Sequence, residues 1–387
     1  MTTALINGRV LTDAGLTAGL AVLIDQGRIS ATVPDSDPRC RQAQTRDLGG
    51  QLLLPGFIDS QVNGGGGVLF NDAPSVEVIR RIGQAHRRFG TTGFLPTLIS
   101  ADLDVVARAI AAVQAALQAG VPGVLGIHIE GPFLNVARKG VHDPAKLREL
   151  DASAIGLLTS LRGGRTLVTL APEMTTPALI EKLVSAGIVV SAGHTNATYA
   201  QIAEALRHGL TGFTHLYNAM SQLTGREPGV VGAALDDQSS WCGIIVDGEH
   251  TDPVVLRIAL RCKRHDRFML VTDAMPSVGT HNQSFNLQGR HITVSGSLCL
   301  DEEGRLAGSN IDMASCVRNT VGMLGVPIAE AARMASLYPA EFLGLHHELG
   351  RIAPGYRANL VLADEGLRVL DTWIDGRSSA EAGITAD

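Results

Sequence analysis

Between about residues 55 and 348 the chain alternates two kinds of apolar pattern. Short continuous runs rich in β-branched residues are each followed by stretches where apolar residues return every three or four positions. The runs LLLPGFID, TGFLPTLI, GVLGIHIE, TLVTLAPE, GIVVSAGH, LTGFTHLY, CGIIVDG and FMLVTDA read as eight strands. Runs this uniformly apolar fit strands buried on both faces, as in a parallel sheet covered by helices. SVEVIRRIGQAHRRF, LDVVARAIAAVQAALQAG, PALIEKLVSAG, YAQIAEALRHG and PVVLRIALRCKRH supply such helices, each with one apolar stripe. Eight units in about 290 residues predict a closed (β/α)8 barrel rather than an open doubly wound sheet.

The two ends follow a different grammar. Residues 1–54 hold short strand-like pieces, ALINGRVL and LAVLIDQGRISATV, broken by turn signals such as Gln26-Gly27. Residues 349–387 repeat it with ANLVLAD and RVLDTWIDG. The expectation is a small β-sandwich domain built from both ends, with the barrel spanning 55–348. Residues 277–308, containing NLQGRHITVSGSLCLDEEGRLAG, read as a hairpin insert over the barrel mouth.

Chemistry is expected where the strands end, because a barrel of this kind carries its active site on the loops at the C-terminal strand ends. Six of the eight runs lead into a polar residue: Gln61 and Asn63, Glu130, His194, His215, His250 and Asp273. Glu130, His194 and His215 form a zinc-type ligand set with a fourth position left for water. Such an ion acidifies a bound water, and Asp273 is placed to take its proton and pass it to a leaving amine. Gly64 to Gly67 resemble a phosphate loop, but no GK[ST] or GxGxxG context follows, so they read as a tight turn and no nucleotide is indicated. His86, His208, His265, His281, His291, His346 and His347 fall on helices, the insert or the ends, and read as structural or surface residues.

Composition narrows the partners. A net charge of −6 without any basic block excludes nucleic acid as an expected partner, while a small anion needs only a few placed donors. Five scattered cysteines without a CxxC pair read as reduced thiols. No signal peptide and no run of 18 apolar residues is present, so the expected setting is cytoplasmic, away from membranes.

PGFIDSQVNGGGG, GIHIEGPFL, KGVHDP, VTLAPE, VVSAGHTNAT, FTHLYNAM, GREPG, DGEHTD, VTDAMP and LAGS follow one another in that order. This series closely resembles the N-acetylglucosamine-6-phosphate deacetylases, a branch of the amidohydrolase superfamily, over nearly the whole chain. The resemblance implies hydrolysis of the acetamide of N-acetyl-D-glucosamine 6-phosphate, or of a related amino-sugar phosphate. Most of the superfamily carries HxH after the first strand for a second metal; Gln61 and Asn63 stand here instead. An amide is a poor ligand beside an imidazole, so one divalent ion is expected, zinc first, with iron, cobalt or manganese admitted by the donors. Gln61 then touches the ligand shell without being a strong ligand.

The resemblance also implies substrate contacts. His142, with the Val141 backbone, would serve the acetamide oxyanion. Asn218 and Ala219 would bind the phosphate, with Arg226 and His250 around it. Leu306, Ala307 and Gly308 would contribute backbone from the insert to close over the sugar. Arg226 would come from the neighbouring subunit of a homodimer. A cyclic-amide hydrolase fits less well, since the histidine pair and a lysine in TLVTLAPE are both missing. A catalytically inactive sugar-phosphate-binding barrel gives no reason for the metal set to stand beside Asp273.

Overall fold

The computed structural model describes residues 2–384. Eight parallel strands pair in chain order: Phe57–Val62, Thr91–Ile99, Gly126–Glu130, Arg165–Leu170, Val189–Ala192, Gly212–Phe213, Trp241–Ile244 and Phe268–Leu270. The seam between first and eighth strands is closed just beyond the ladder. There Asp273 N–H donates to Gln61 C=O at 3.0 Å and Asn63 N–H to Ala274 C=O at 2.9 Å. Buried Asp59 staples the seam below, accepting from Gln61 N–H (3.1 Å) and from Thr272 N–H and Oγ1 (3.3 and 2.5 Å). Burial pushes the Asp59 carboxyl up to about 7 against those three hydrogen bonds.

The helices follow the apolar stripes. Val76–Arg87 buries Ile79, Ile82, Ala85 and His86, and Ser75 caps its first turn. Tyr199–Arg207 starts at a reciprocal Thr198–Gln201 capping box. Asp252 caps Pro253–Cys262, whose proline takes the first turn where no N–H is needed. His86, read as structural, is fully buried with Nε2 at 2.9 Å from Gly64 C=O, locking the glycine turn beneath the barrel mouth. Among the described residues no helix is long and apolar enough to cross a membrane.

The ends of the chain share one eight-stranded sheet. Its order runs Arg377–Ser378, Val369–Ile374, Leu360–Ala363, Leu52–Pro55, Thr3–Thr12, Gly15–Asp25, Arg28–Pro34, with Gln44–Asp47 also pairing on Thr3–Thr12. Apolar residues gather in two clusters, one around Leu5, Val22, Ile29, Leu53, Leu360 and Trp373, the other around Ala4, Ala21, Leu23 and Val33. The run LLLPGFID is therefore two strands, not one. Leu52–Pro55 belongs to this sheet and Phe57–Val62 to the barrel, with Gly56 at the joint. A Cβ there would sit 2.0 Å from Thr92 Oγ1, so only glycine lets the chain pass from sheet to barrel.

The insert also differs from expectation. Instead of a lone hairpin it is a four-stranded antiparallel sheet, Ser284–Leu287, Arg290–Ser295, Leu298–Asp301 and Leu306–Ser309. Its apolar side, Leu287, Ile292, Val294, Cys299 and Ala307, packs on Leu69, Ile99, Val141 and Met275 of the barrel mouth. A single hairpin lacks that apolar face; four strands supply enough to dock.

Candidate active site

A cavity of about 490 Å³ opens at the C-terminal ends of the strands. Glu130, His142, His194, His215, Asn218, Ala219, His250, Asp273, Val141, Leu306 and Gly308 all line it. A larger cleft of about 920 Å³ lies between the small sheet and the barrel, lined by glycine turns and by Arg87, Arg357 and Asp375. It contains none of Glu130, His142, His194, His215 and Asp273. Three residues expected at the site do not line this cavity. Gln61 is buried against Glu130 and Asp273. Ala307 is fully buried in the insert core, because strand alternation turns it away from Leu306 and Gly308. Arg226 sits on an exposed loop outside the cavity of its own chain.

Glu130, His194 and His215 are buried, and their ligand atoms converge. The two histidine Nε2 atoms lie 3.1 Å apart, and each lies 3.1 Å from Glu130 Oε1. A tetrahedral zinc at 2.0–2.1 Å from each ligand needs an edge of about 3.3 Å, so the set fits such an ion. The tautomer of His194 agrees. His194 Nδ1 lies 2.9 Å from Arg138 C=O, an atom that only accepts, so the proton is on Nδ1 and Nε2 keeps its lone pair. His194, His215 and Asp273 all hold left-handed backbone (φ 49°, 35° and 52°), which turns each side chain inward at its strand end.

Without a cation these groups share protons. Burial acts to raise Glu130, yet hydrogen bonds and charge from His194 and His215 carry it well below the usual carboxylate range. Burial likewise opposes charge on His215, but Glu130 outweighs it and raises the imidazole. Asp273 is pushed up to about 6, first by burial and then by the negative charge of Glu130.

The amides after the first strand have a definite role. Gln61 Nε2 lies 3.2 Å from Glu130 Oε2 and 3.1 Å from Asp273 Oδ1, and Asn63 Nδ2 lies 2.6 Å from the same Oδ1. Their neighbours are carboxylates, so the NH2 ends face inward and donate. Amide hydrogens thus occupy the side where a histidine pair would hold a second ion. Asp273 Oδ2 receives no hydrogen bond among the described residues.

His142 is the neutral donor. Ser100 N–H points at its Nδ1 (3.3 Å) and Ser100 Oγ lies 2.7 Å from the same atom. Nδ1 therefore accepts, and the proton sits on Nε2. Burial, then the neighbouring His194, push the imidazole down to about 3, so it stays neutral at working pH. His250 is oriented by Asp247, whose Oδ2 lies 2.6 Å from its Nδ1. Asn218 Nδ2 makes only long contacts, to His215 C=O and Leu216 C=O at 3.2 and 3.3 Å and Thr251 Oγ1 at 3.4 Å.

Sequence reading missed several groups here. His128 is buried between Thr169 Oγ1 (2.7 Å) and Thr97 Oγ1 (3.4 Å), and burial lowers it to about 4. It lies two residues before Glu130, and the period of two in GIHIE puts both on the barrel interior. Asp59, Ser100, Asp247 and the Arg138 carbonyl act through other residues and leave no local pattern. Asn63, noted at its strand end, turns out to be the closest partner of Asp273.

The amidohydrolase family model matches residues 52–378. An N-acetylgalactosamine-6-phosphate deacetylase of Shewanella sp. (strain ANA-3) is 43% identical, across 95% of this chain and 93% of that protein. The N-acetylglucosamine-6-phosphate deacetylase of Haemophilus influenzae is 38% identical, across 97% and 98%. The crystal structure of N-acetylglucosamine-6-phosphate deacetylase from Pasteurella multocida superimposes with a TM-score of 0.94 at 37% identity, covering 98% and 99%. Fold and site define a barrel hydrolase of the metal-dependent kind. The chain belongs to the amidohydrolase family, in the branch that these deacetylases form.

Proposed function

We propose that this protein hydrolyses the acetamide of N-acetyl-D-glucosamine 6-phosphate, giving D-glucosamine 6-phosphate and acetate. One observation carries the reading: a three-ligand set, a proton acceptor and a neutral imidazole donor face one sugar-sized cavity. A divalent ion held by Glu130, His194 and His215, zinc by donor type, would acidify water and polarise the carbonyl. The inward amides of Gln61 and Asn63 support one ion rather than two.

Asp273 takes a proton from the attacking water as its oxygen bonds to the acetamide carbon. His142 Nε2–H donates to the carbonyl oxygen as charge builds there. The carbon–nitrogen bond then breaks, and Asp273 returns the proton to the departing amine. In the same cavity His250 and Asn218 serve the phosphate, along with the Ala219 N–H, which donates to no described residue. Leu306 and Gly308 cover the sugar; a Cβ on Gly308 would meet Asp273 C=O at 2.8 Å, so glycine lets the insert approach the acid–base group.

A homodimer completes this reading, with Arg226 reaching the partner's phosphate site. Arg226 makes no ion pair among the described residues, and Leu223 on the same loop is 55% exposed. Val254 and Ile258, 53% and 48% exposed, share a helix face at i,i+4. Five free cysteines support a reducing compartment, the cytoplasm.

The relative of 43% identity favours a second substrate, N-acetylgalactosamine 6-phosphate. Amine release from both phosphorylated epimers and from unphosphorylated N-acetylglucosamine separates the readings. We expect turnover of the glucosamine epimer and a loss on the order of 10²-fold in kcat/KM without phosphate, the scale of a few charge-assisted hydrogen bonds. Higher kcat/KM on the galactosamine epimer would select the second reading, and no release from either sinks both. Arg226→Ala should raise KM for the phosphorylated sugar and leave that for the plain sugar unchanged.

A further inference from the structure

The insert carries an amide that sequence reading passed over. Gln288 and Gly289 are the two central residues of the turn between Ser284–Leu287 and Arg290–Ser295, with Leu287 opposite Arg290. Both have positive φ, 48° and 80°, the conformation of a type I′ turn. Asparagine, aspartate or glycine is at ease in the first position; glutamine gains nothing there from the backbone. Its side chain supplies the reason. Oε1 accepts from Asp143 N–H at 3.0 Å, and Nε2 donates to Ser100 C=O at 2.9 Å.

These partners flank the oxyanion donor on two separate stretches of chain. Asp143 follows His142 directly, and Ser100 supplies the N–H and hydroxyl that fix His142 Nδ1. The apolar contacts run in parallel: Ile99 precedes Ser100, Val141 precedes His142, and both pack with Leu287 of the insert. Gln288 itself does not line the cavity. The insert thus grips the strand end bearing Ser100 and the loop bearing His142 at one point, and holds them in register.

We propose that Gln288 is a positioning residue that keeps the His142 Nε2–H aimed at the substrate carbonyl, so that docking of the insert and readiness of the oxyanion donor are one event. The proposal rests on the role given above to His142. Removing the latch frees the Ser100–His142 pair to shift, and misplacement by about 1 Å at such a donor costs up to 10²-fold in rate.

Gln288→Asn is the telling substitution. Asparagine suits the turn at least as well, so folding is protected, but it is one methylene too short to reach either partner. Gln288→Leu keeps the length and removes both hydrogen bonds. In the metal-loaded enzyme we expect, for both, unchanged metal content and Tm within a few degrees. Amide exchange at Asp143 should accelerate, and kcat should fall on the order of tenfold while KM moves less than about threefold. Nitrogen chemical shifts of His142 should report a single Nε2–H tautomer in the wild type and a mixture in the variants. Wild-type tautomer and Asp143 exchange in both variants overturn the proposal, whether or not the protein deacetylates any sugar. Freed exchange with wild-type kcat also overturns it, as does a kcat loss that merely tracks lost Tm. Absence of turnover in the wild type counts against the functional reading and leaves the tautomer test of the latch intact.

Discussion

Asp273→Asn should bind metal and fold as the wild type does, and lose about 10³-fold in kcat. Asparagine is the right probe because Asp273 occupies left-handed backbone, which asparagine tolerates and most residues do not. Its carbonyl oxygen can take the place of Oδ1 and still accept from Asn63 and Gln61. Only the free oxygen, Oδ2, becomes an NH2 that accepts no proton. General acid–base steps contribute roughly 10²–10⁴-fold, and in the proposed mechanism one carboxylate serves both proton transfers. In the wild type, kcat/KM should fall on the acid side as Asp273 protonates. A bound dication favours the carboxylate, so that limb lies below the value of about 6 that burial and Glu130 produce without it. Wild-type kcat in Asp273→Asn, or an unchanged acid limb in its residual rate, would remove Asp273 from the proton path.

Chelation should abolish turnover, and re-addition of zinc should restore it. The accompanying stability change has a definite pH dependence. Without metal, His215 is raised by Glu130, so its stabilisation is fully present below the unfolded imidazole value of about 6.5 and is lost as pH rises through the folded value. Glu130 is depressed, so its stabilisation is present above the ordinary carboxylate range and is lost as pH falls through its lowered value. The metal-free protein therefore weakens as pH rises past the ordinary imidazole range. Metal binding needs the same imidazoles deprotonated and strengthens over that range. At free ion 1,000-fold above Kd the gain is about 4 kcal/mol. Melting curves from pH 5 to 9 should show the gap between loaded and metal-free protein widening with pH; a narrowing gap would show that protons do not compete for this ligand set.

The apolar runs made the barrel legible because strands buried on both faces admit few polar residues, so a polar strand end stands out. That contrast marked Glu130, His194, His215 and Asp273 before any geometry was known. It failed where a backbone group or a distant partner does the holding. Arg138 contributes a carbonyl, Ser100 is one serine among many, and Gln288 lies 145 and 188 residues from the two segments it grips. Ala307 and His128 were within reach of simple alternation, which sets Ala307 opposite Leu306 and His128 beside Glu130. The split of LLLPGFID was harder, because both halves are fully buried and the break is a single glycine.

That split has a consequence for how the protein is made. Leu52–Pro55 pairs on one side with Thr3–Thr12 and on the other with Leu360–Ala363. The second partner leaves the ribosome roughly 300 residues later, about 15–60 s at 5–20 residues per second. Throughout that interval three consecutive leucines border an open sheet edge, the kind of surface that recruits foreign strands. Pro55, which has no N–H to offer, closes the run and blunts the edge during the wait. Leu360–Ala363 thus seals a hazard opened by Leu52–Pro55.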